Sequence, residues 1–120
     1  MSKKLVFMVT HGTDDPERAT IPFVMAVTAQ ASGAEAVIGF QAEGVTIARK
    51  GGAEKISFPP FPPLKDLLDG YQKAGGKLLV CGPCMQTRGI TAADLVDGAT
   101  QVNAAVFVAE LLEATNSVVY

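Results

Sequence analysis

Hydrophobic residues in this chain fall into short apolar runs, and the segments between these runs have helical periodicity. Runs of this length are typical of buried strands. The clearest helix is predicted at 64–74, where leucines and a tyrosine are spaced i, i+3, i+4 and i+7. Strands that alternate with helices predict an α/β fold, a three-layer sandwich around a mostly parallel sheet of about five strands. The predicted strands are 4–9, 34–40, 77–80, 98–101 and 117–120, and the predicted helices are 16–32, 45–50, 64–74, 83 onward, 92–96 and 102–114.

The loops 10–15 and 81–84 are predicted to lie at one edge of this sheet, because right-handed crossovers bring strand-to-helix loops together. In open α/β sheets, ligands bind beyond the carboxyl ends of the strands, where the strand order reverses. We hypothesise a flavodoxin-like 2-1-3 strand order near this switch point. That order would make His11 and Cys81 neighbours.

Composition narrows the classes of function and partner. Hydrophobic residues make up 48% of the chain and charged residues 18%. The last predicted helix is also apolar on two sides. Together these features indicate a homo-oligomer. The net charge of −2 fits neither a nucleic-acid nor an anionic-membrane partner. No apolar stretch approaches the roughly 20 residues that span a bilayer. We predict a single domain over 1–120, located in the cytoplasm, with both cysteines as thiols.

The motif that carries chemistry is Cys81-Gly82-Pro83-Cys84, at the predicted junction of a strand and a helix. A cysteine is nucleophilic as the thiolate, and a helix N-terminus or a nearby cation lowers its pKa. Gly82 allows close approach of the backbone, and Pro83 suits the first turn of a helix. Arg88, four residues after Cys84, is interpreted either as a partner of the thiolate or as a surface cation.

The loop after the first strand supplies a second group of candidate residues. His11 is the only histidine of the chain. It is predicted either to orient or deprotonate Cys81, or to form a hydrogen bond within its own turn. Thr10, Gly12 and Thr13 are predicted to shape the loop, with Gly12 at a positive φ angle.

Two other segments are interpreted mainly as structural. Asp14 and Asp15 are predicted to cap the helix that Pro16 begins. The segment 58–63 reads Phe-Pro-Pro-Phe-Pro-Pro, which excludes a helix or a central strand and predicts an extended loop. This loop is either a packed crossover, or a wall of the thiol pocket or an oligomer contact.

The cysteine pair allows several kinds of protein. Thioredoxin-like exchange, or redox sensing, fits the tetrapeptide, but thioredoxins have a downstream cis-proline and all seven prolines here lie at or before Pro83. A zinc site is the second possibility, but the chain offers only two Cys and one His, one ligand fewer than a closed structural site requires. We predict neither a metal nor a cofactor. A third possibility is an oligomeric binding module in which the cysteines are inert. Persulfide chemistry is the fourth.

The persulfide interpretation rests on three stretches, Thr10-His11-Gly12-Thr13, Gly44-Val45 with Lys50-Gly51, and Cys81-X-X-Cys84-X-X-X-Arg88-Gly89-Ile90. On these stretches and its length, the whole chain resembles the DsrE-like family of small sulfur-relay proteins. In that family the matching cysteine accepts a sulfane sulfur and passes it on. The resemblance therefore implies that Cys81 is the carrier, in a sulfur carrier or a sulfurtransferase, with Cys84 as a possible resolving thiol. It also implies a trimer or hexamer whose partners are sulfur donor and acceptor proteins or small sulfane-sulfur compounds.

Overall fold

Five parallel strands form one sheet with helices on both faces, which confirms the predicted α/β sandwich. The computed structural model describes residues 3–120, so Met1 and Ser2 of the predicted domain lie outside the described residues. The strands are β1 (Lys4–Val9), β2 (Glu35–Phe40), β3 (Lys77–Cys81), β4 (Ala99–Val102) and β5 (Asn116–Val119). The α-helices are α1 (Pro16–Ala31), α2 (Val45–Ala48), α3 (Leu64–Lys73), α4 (Gly82–Thr87) and α5 (Ala104–Glu113), with 3₁₀ turns at Ala42–Gly44, Ala53–Lys55 and Ala92–Asp94.

The order of the strands differs from the hypothesis. The sheet order is β4-β3-β2-β1-β5, so β2 lies between β1 and β3, and the predicted 2-1-3 order is wrong. The first three crossovers each place the next strand beside the previous one. Strand β2 therefore pairs with β1 on one edge, where Val9 lies opposite Phe40, and with β3 on the other, where Phe40 lies opposite Val80. The reversal of strand order lies instead between β1 and β5.

Helix α1 begins as the sequence predicts. The Asp15 carboxylate accepts the backbone N–H of Arg18 at 3.1 Å, and Pro16 is the first helical residue. The Asp15 cap satisfies one of the N–H groups that have no partner in the first turn. Proline suits the first position because an N–H there would have no partner within the helix. The prediction of an Asp15 cap is therefore confirmed.

Two predicted helices are shorter than expected. The segment 45–50 is helical only to Ala48, because Arg49 adopts extended backbone angles. The segment 92–96 contains one 3₁₀ turn, Ala92–Asp94. The segment 58–63 lies outside helices and strands, as predicted, and its two phenylalanines are half-buried.

The main core lies between the sheet and helices α1 to α4. Alternate residues of each strand point to this face, which follows from the two-residue period of a strand. The three aromatic rings of Phe23, Phe40 and Tyr71 meet there, and the Tyr71 hydroxyl donates to the carbonyl of Ala36 at 3.0 Å. Further members of this core are Phe7, Val9, Ile38, Ile47, Leu68, Leu78, Val80 and Met85.

The opposite face of the sheet is covered by α5. Phe107 of α5 packs on the sheet at Gly39. A Cβ at Gly39 would lie 2.7 Å from the Phe107 ring, so this contact requires a residue without a side chain. Glu110 fixes the helix further, with Lys4 at 3.0 Å and Lys77 at 3.4 Å. The outer side of α5 is apolar and exposed, which matches the prediction of a helix that is apolar on two sides. Its exposed residues are Val106, Val108, Leu111 and Leu112, the last 82% exposed.

Candidate functional site

Cys81 ends β3 and is also the N-cap residue of α4. Its Sγ accepts a hydrogen bond from the backbone N–H of Cys84 at 3.4 Å, so sulfur takes the place of the oxygen that usually caps a helix. Both cysteines are free thiols and both are half-buried. The motif thus places a thiol at a helix start, as its position between a strand and a helix predicts.

The acidity of the Cys81 thiol depends on burial as well as on its charged and polar neighbours. Burial raises the pKa of Cys81 above its ordinary value, and the Cys84 side chain raises it further. The Cys84 N–H and the charge of Arg88 both act to lower the pKa, as predicted, but burial outweighs them. The two lowering effects named from the sequence are therefore present but do not decide the net shift, because the motif does not show how far neighbouring residues bury the thiol.

Arg88 follows α4 and folds back along it. Its Nη1 donates to the carbonyl of Cys84 at 3.1 Å, and its Nε donates to Oε1 of Glu43 at 2.7 Å. Its side chain is only 26% exposed. Arg88 is therefore a cation fixed beside the cysteine helix and not a free surface side chain.

Glu43 is the site residue that the sequence analysis missed. It lies in the 3₁₀ turn after β2, next to Ala42, whose φ of 51° is in the left-handed region that residues other than glycine rarely occupy. Gly44 packs directly on the end of β1, since a Cβ there would lie 2.0 Å from the Val9 carbonyl oxygen. A signal was available: Glu43 comes shortly after a buried strand, at the same sheet edge as Cys81.

His11 lies across β2 from Cys81 and not beside it. Two strand spacings separate the ends of β1 and β3 by about 10 Å. Residues after β2 fill the space between them: a Cβ at Gly12 would lie 2.5 Å from Thr46 Oγ1 and 2.9 Å from the Glu43 carbonyl oxygen. Gly12 is not among the described glycines with positive φ, so that prediction is wrong, and the glycine is needed for close approach.

Asp14 holds the ring of His11. The Nδ1–H of His11 donates to one carboxylate oxygen of Asp14 at 2.8 Å, and the Gly12 N–H donates to the other at 2.7 Å. The bond to His11 lowers the pKa of Asp14, and the Gly12 N–H adds to this effect. Asp14 is therefore not a helix cap as predicted. With Nδ1 occupied, the neutral ring keeps Nε2 as an acceptor.

The remaining residues predicted for the site fix its backbone. The N–H and hydroxyl of Thr10 both donate to the carbonyl of Tyr120. Thr13 is exposed in the turn after His11. Gly82 packs tightly against β4, since a Cβ there would lie 3.1 Å from Gln101 Nε2. Pro83 lies in the first turn of α4, where its missing N–H costs nothing.

A cleft of about 1020 Å³ opens between α4, β4 and the start of α5, and Pro83, Gln86 and Asn103 contribute to its walls. Neither cysteine is among its lining residues. Cys84 packs against the main core, and Cys81 packs against both the main core and the smaller cluster under α5. Within residues 3–120, no three His, Cys, Asp or Glu side chains come together in a metal-binding group.

The sequence model of the DsrE/DsrF-like family matches residues 3–120, nearly the whole chain. The chain belongs to this family. The resemblance inferred from the cysteine motif and the first loop is thereby confirmed, and with it a general connection to sulfur relay.

Two curated relatives of this chain come from Methanocaldococcus jannaschii. The uncharacterized protein MJ0989 is 29% identical over 117 residues, which cover 98% of this chain and 99% of the relative. The uncharacterized protein MJ0760 is 32% identical over 95 residues, 79% of this chain. The chain spans only about a third of the length of MJ0760, 34%.

Solved structures confirm the fold of this DsrE/DsrF-like chain. The YchN protein from E. coli superimposes with a TM-score of 0.81 over the full length of both chains, at 16% identity. The protein of unknown function MTH1491 from Methanobacterium thermoautotrophicum gives a TM-score of 0.77 at 15% identity, over 99% of this chain and 100% of that one. At such identities the likeness concerns the fold alone.

Proposed function

We propose that the protein carries a sulfane sulfur as a persulfide on Cys81. The observation that supports this most is the position of the Cys81 sulfur at the start of α4. The sulfur accepts a hydrogen bond from the Cys84 N–H, and the positive charge of Arg88 acts to lower the pKa of Cys81. These groups stabilise a sulfur anion. Within a family connected with sulfur relay, they favour Cys81 as the sulfur acceptor.

The chemistry requires two steps. The Cys81 thiolate attacks the outer sulfur of a donor, a new S–S bond forms, and the donor's bond to that sulfur breaks with its electron pair leaving on the donor. The Cys84 thiolate then attacks the inner sulfur of the Cys81 persulfide, forms an 81–84 disulfide and releases hydrosulfide. A carrier that passes its sulfur to an acceptor protein uses only the first step and the transfer. Cys84 is the resolving thiol in our proposal.

The test of this function is sulfur loading of the reduced wild-type protein. After incubation with thiosulfate or polysulfide, intact-mass spectrometry is expected to show one added sulfur, and fragment ions are expected to place it on Cys81. Treatment with a reducing thiol should remove the added mass. A wild-type protein that neither retains an added sulfur nor releases hydrosulfide under these conditions contradicts the proposal.

Thiol–disulfide exchange is the second candidate, and the contact between Cys81 and Cys84 favours it. The 3.4 Å hydrogen bond places the two residues on one helical turn. Reversible formation of an 81–84 disulfide without any added sulfur would support this function. Very slow alkylation of both thiols would instead support the inert binding module.

We further propose that the protein is a homo-oligomer, a trimer or a hexamer, assembled through the outer side of α5. A monomer rarely exposes so continuous an apolar surface. Val108 is 51% exposed and Leu112 82% exposed on this side. Donor and acceptor sulfur proteins or small sulfane-sulfur compounds are the proposed partners.

Leu112→Lys is expected to dissociate this oligomer. The side chain is 82% exposed in the single chain, so a charge there costs little in folding, but it would be buried between subunits at high cost. Light scattering after size exclusion should fall toward the 12.5 kDa of one chain. Met25→Lys is the matched control, because Met25 is an exposed apolar residue of α1 on the opposite layer. An unchanged mass for Leu112→Lys, or an equal loss for Met25→Lys, contradicts assembly through α5.

Location is the last part of the proposal. No helix within residues 3–120 is long and apolar enough to cross a membrane. A cytoplasmic location, a single domain over 1–120 and the absence of a nucleic-acid partner remain predictions from the sequence.

A further inference from the structure

Arg88 is held at two points, by the Glu43 carboxylate at 2.7 Å and by the Cys84 carbonyl at 3.1 Å. We propose that Glu43 is a positioning residue, which fixes Arg88 against α4 and masks the positive charge that Arg88 presents to Cys81. This inference rests on the proposed role of Cys81 as the reacting thiol. It assigns to Glu43 the control of how readily that thiol reacts.

The backbone around Glu43 is built to hold the side chain in one place. Gly44 touches the end of β1 so closely that a Cβ would lie 2.0 Å from the Val9 carbonyl oxygen. On the other side, Gly12 approaches the Glu43 carbonyl oxygen, which a Cβ would meet at 2.9 Å. Ala42 adopts its left-handed φ of 51° at the turn, a conformation that persists only when surrounding contacts impose it. Glu43 is thus fixed between β1 and α4.

The charge of Glu43 reaches Cys81 through Arg88. A guanidinium close to a thiol favours the thiolate, and a carboxylate bonded to that guanidinium cancels part of its field. The Glu43 and Arg88 side chains are 42% and 26% exposed, so water screens the pair only in part. The Glu43 carboxylate therefore weakens the lowering that Arg88 exerts on the pKa of Cys81, and burial remains the first cause of the raised pKa.

Few other charged or titratable groups face Cys81. On α4 these are Cys84 and Arg88. The bonded pair of His11 and Asp14, in the loop after β1, lies across β2 from Cys81. The neighbouring strand β4 contains no ionisable residue. The cations after α2, Arg49 and Lys50, lower the pKa of Asp94. Glu110 pairs with Lys4 and with Lys77 at the amino ends of β1 and β3.

The test compares Glu43→Gln, Arg88→Gln and the double variant. The amide of Glu43→Gln would keep an oxygen that accepts from Arg88 Nε but would carry no charge, so Arg88 stays in place with its charge unmasked. The readout is the pH profile for alkylation of reduced Cys81 by iodoacetamide, with fragment ions separating Cys81 from Cys84. For Glu43→Gln the midpoint is expected at lower pH, with alkylation at neutral pH faster by about threefold or more, since more thiolate outweighs its weaker nucleophilicity.

Arg88→Gln is expected to move the midpoint to higher pH. In the Arg88→Gln background, Glu43→Gln should have a clearly smaller effect, because a Glu43 side chain without its ion pair turns into solvent, where water screens its charge. Glu43→Asp is the conservative variant: its carboxylate lies one methylene farther from Arg88, so its profile should fall between wild type and Glu43→Gln. Glu43→Asp also provides the test if Glu43→Gln fails to fold, which circular dichroism reports.

An unchanged or upward-shifted midpoint for Glu43→Gln overturns the proposal. An equal downward shift in both backgrounds also overturns it, because the effect of Glu43 would then not depend on its ion pair with Arg88. The alkylation profile needs no sulfur donor. A chain that shows the expected profile but takes up no sulfur therefore refutes persulfide carriage and leaves the role of Glu43 intact, and the converse result refutes only the role of Glu43.

Discussion

Cys81→Ser is expected to abolish sulfur loading completely. A serine hydroxyl is not ionised near neutral pH and cannot attack a sulfane sulfur, whereas its oxygen can still accept the Cys84 N–H that Cys81 Sγ accepts at 3.4 Å. Serine is a preferred N-cap residue, so α4 should keep its start. Intact-mass spectra after thiosulfate or polysulfide treatment are expected to show the unmodified variant alone, with a far-ultraviolet dichroism spectrum like that of the wild type.

Cys84→Ser is the matched control for this variant. It keeps the thiol at the end of β3 and removes only the proposed resolving thiol. Loading of Cys81 should persist, and the loaded form should last longer than in the wild type because no neighbouring thiol displaces the sulfur. Sulfur uptake by Cys81→Ser, or its loss in Cys84→Ser, would assign the acceptor to Cys84 and contradict the proposed roles.

Gly44→Ala is expected to lower the free energy of unfolding by about 3 kcal/mol, the upper part of the usual range for overpacking. Gly44 has an ordinary helical φ of −57°, so the cost is steric. Its Cβ would lie 2.0 Å from the Val9 carbonyl oxygen and 2.8 Å from the carbonyl carbon. These backbone atoms belong to a central strand and cannot move aside, so the turn that carries Glu43 must shift.

Gly70→Ala provides the opposite control. Gly70 lies exposed in the middle of α3, and a Cβ there would meet nothing within 4 Å. Alanine in a helix is favoured over glycine by about 0.5–1 kcal/mol, so this variant should be slightly more stable than the wild type. Chemical denaturation with urea measures both variants. Equal stability for Gly44→Ala and the wild type would mean that the turn yields easily, which contradicts the fixed placement of Glu43.

The elements of this fold could be predicted because their signals are local. The leucine spacing and Gly75 predict a helix at 64–74, and the structure has it at Leu64–Lys73. The order of the strands could not be predicted in this way, since hydrophobic periodicity determines which residues face the core but not which strand edges meet. The hypothesis that β1 and β3 are adjacent was wrong for that reason, and with it the prediction that His11 neighbours Cys81.

The candidate site was predictable only in part for the same reason. Cys81 and Arg88 lie within one short segment, and a motif records their spacing. Glu43 is 45 residues from Arg88 along the chain; its position after a buried strand indicates the sheet edge on which it lies, but not the residue that it pairs with. The net pKa of Cys81 depends on burial, which packing from α2 and β4 decides after the chain has folded.

Tyr120 has a consequence for how the candidate site is assembled. Its carbonyl receives both donors of Thr10, and its N–H donates to the carbonyl of Met8 at 2.9 Å. These contacts join positions more than a hundred residues apart in sequence, so their closure carries a large entropic cost and is expected late in folding. The loop that carries His11 is therefore completed only when β5 has docked beside β1. In a partly folded chain the cysteine helix is therefore expected to form before this loop is fixed, so formation of α4 and completion of the site are expected as separate folding steps.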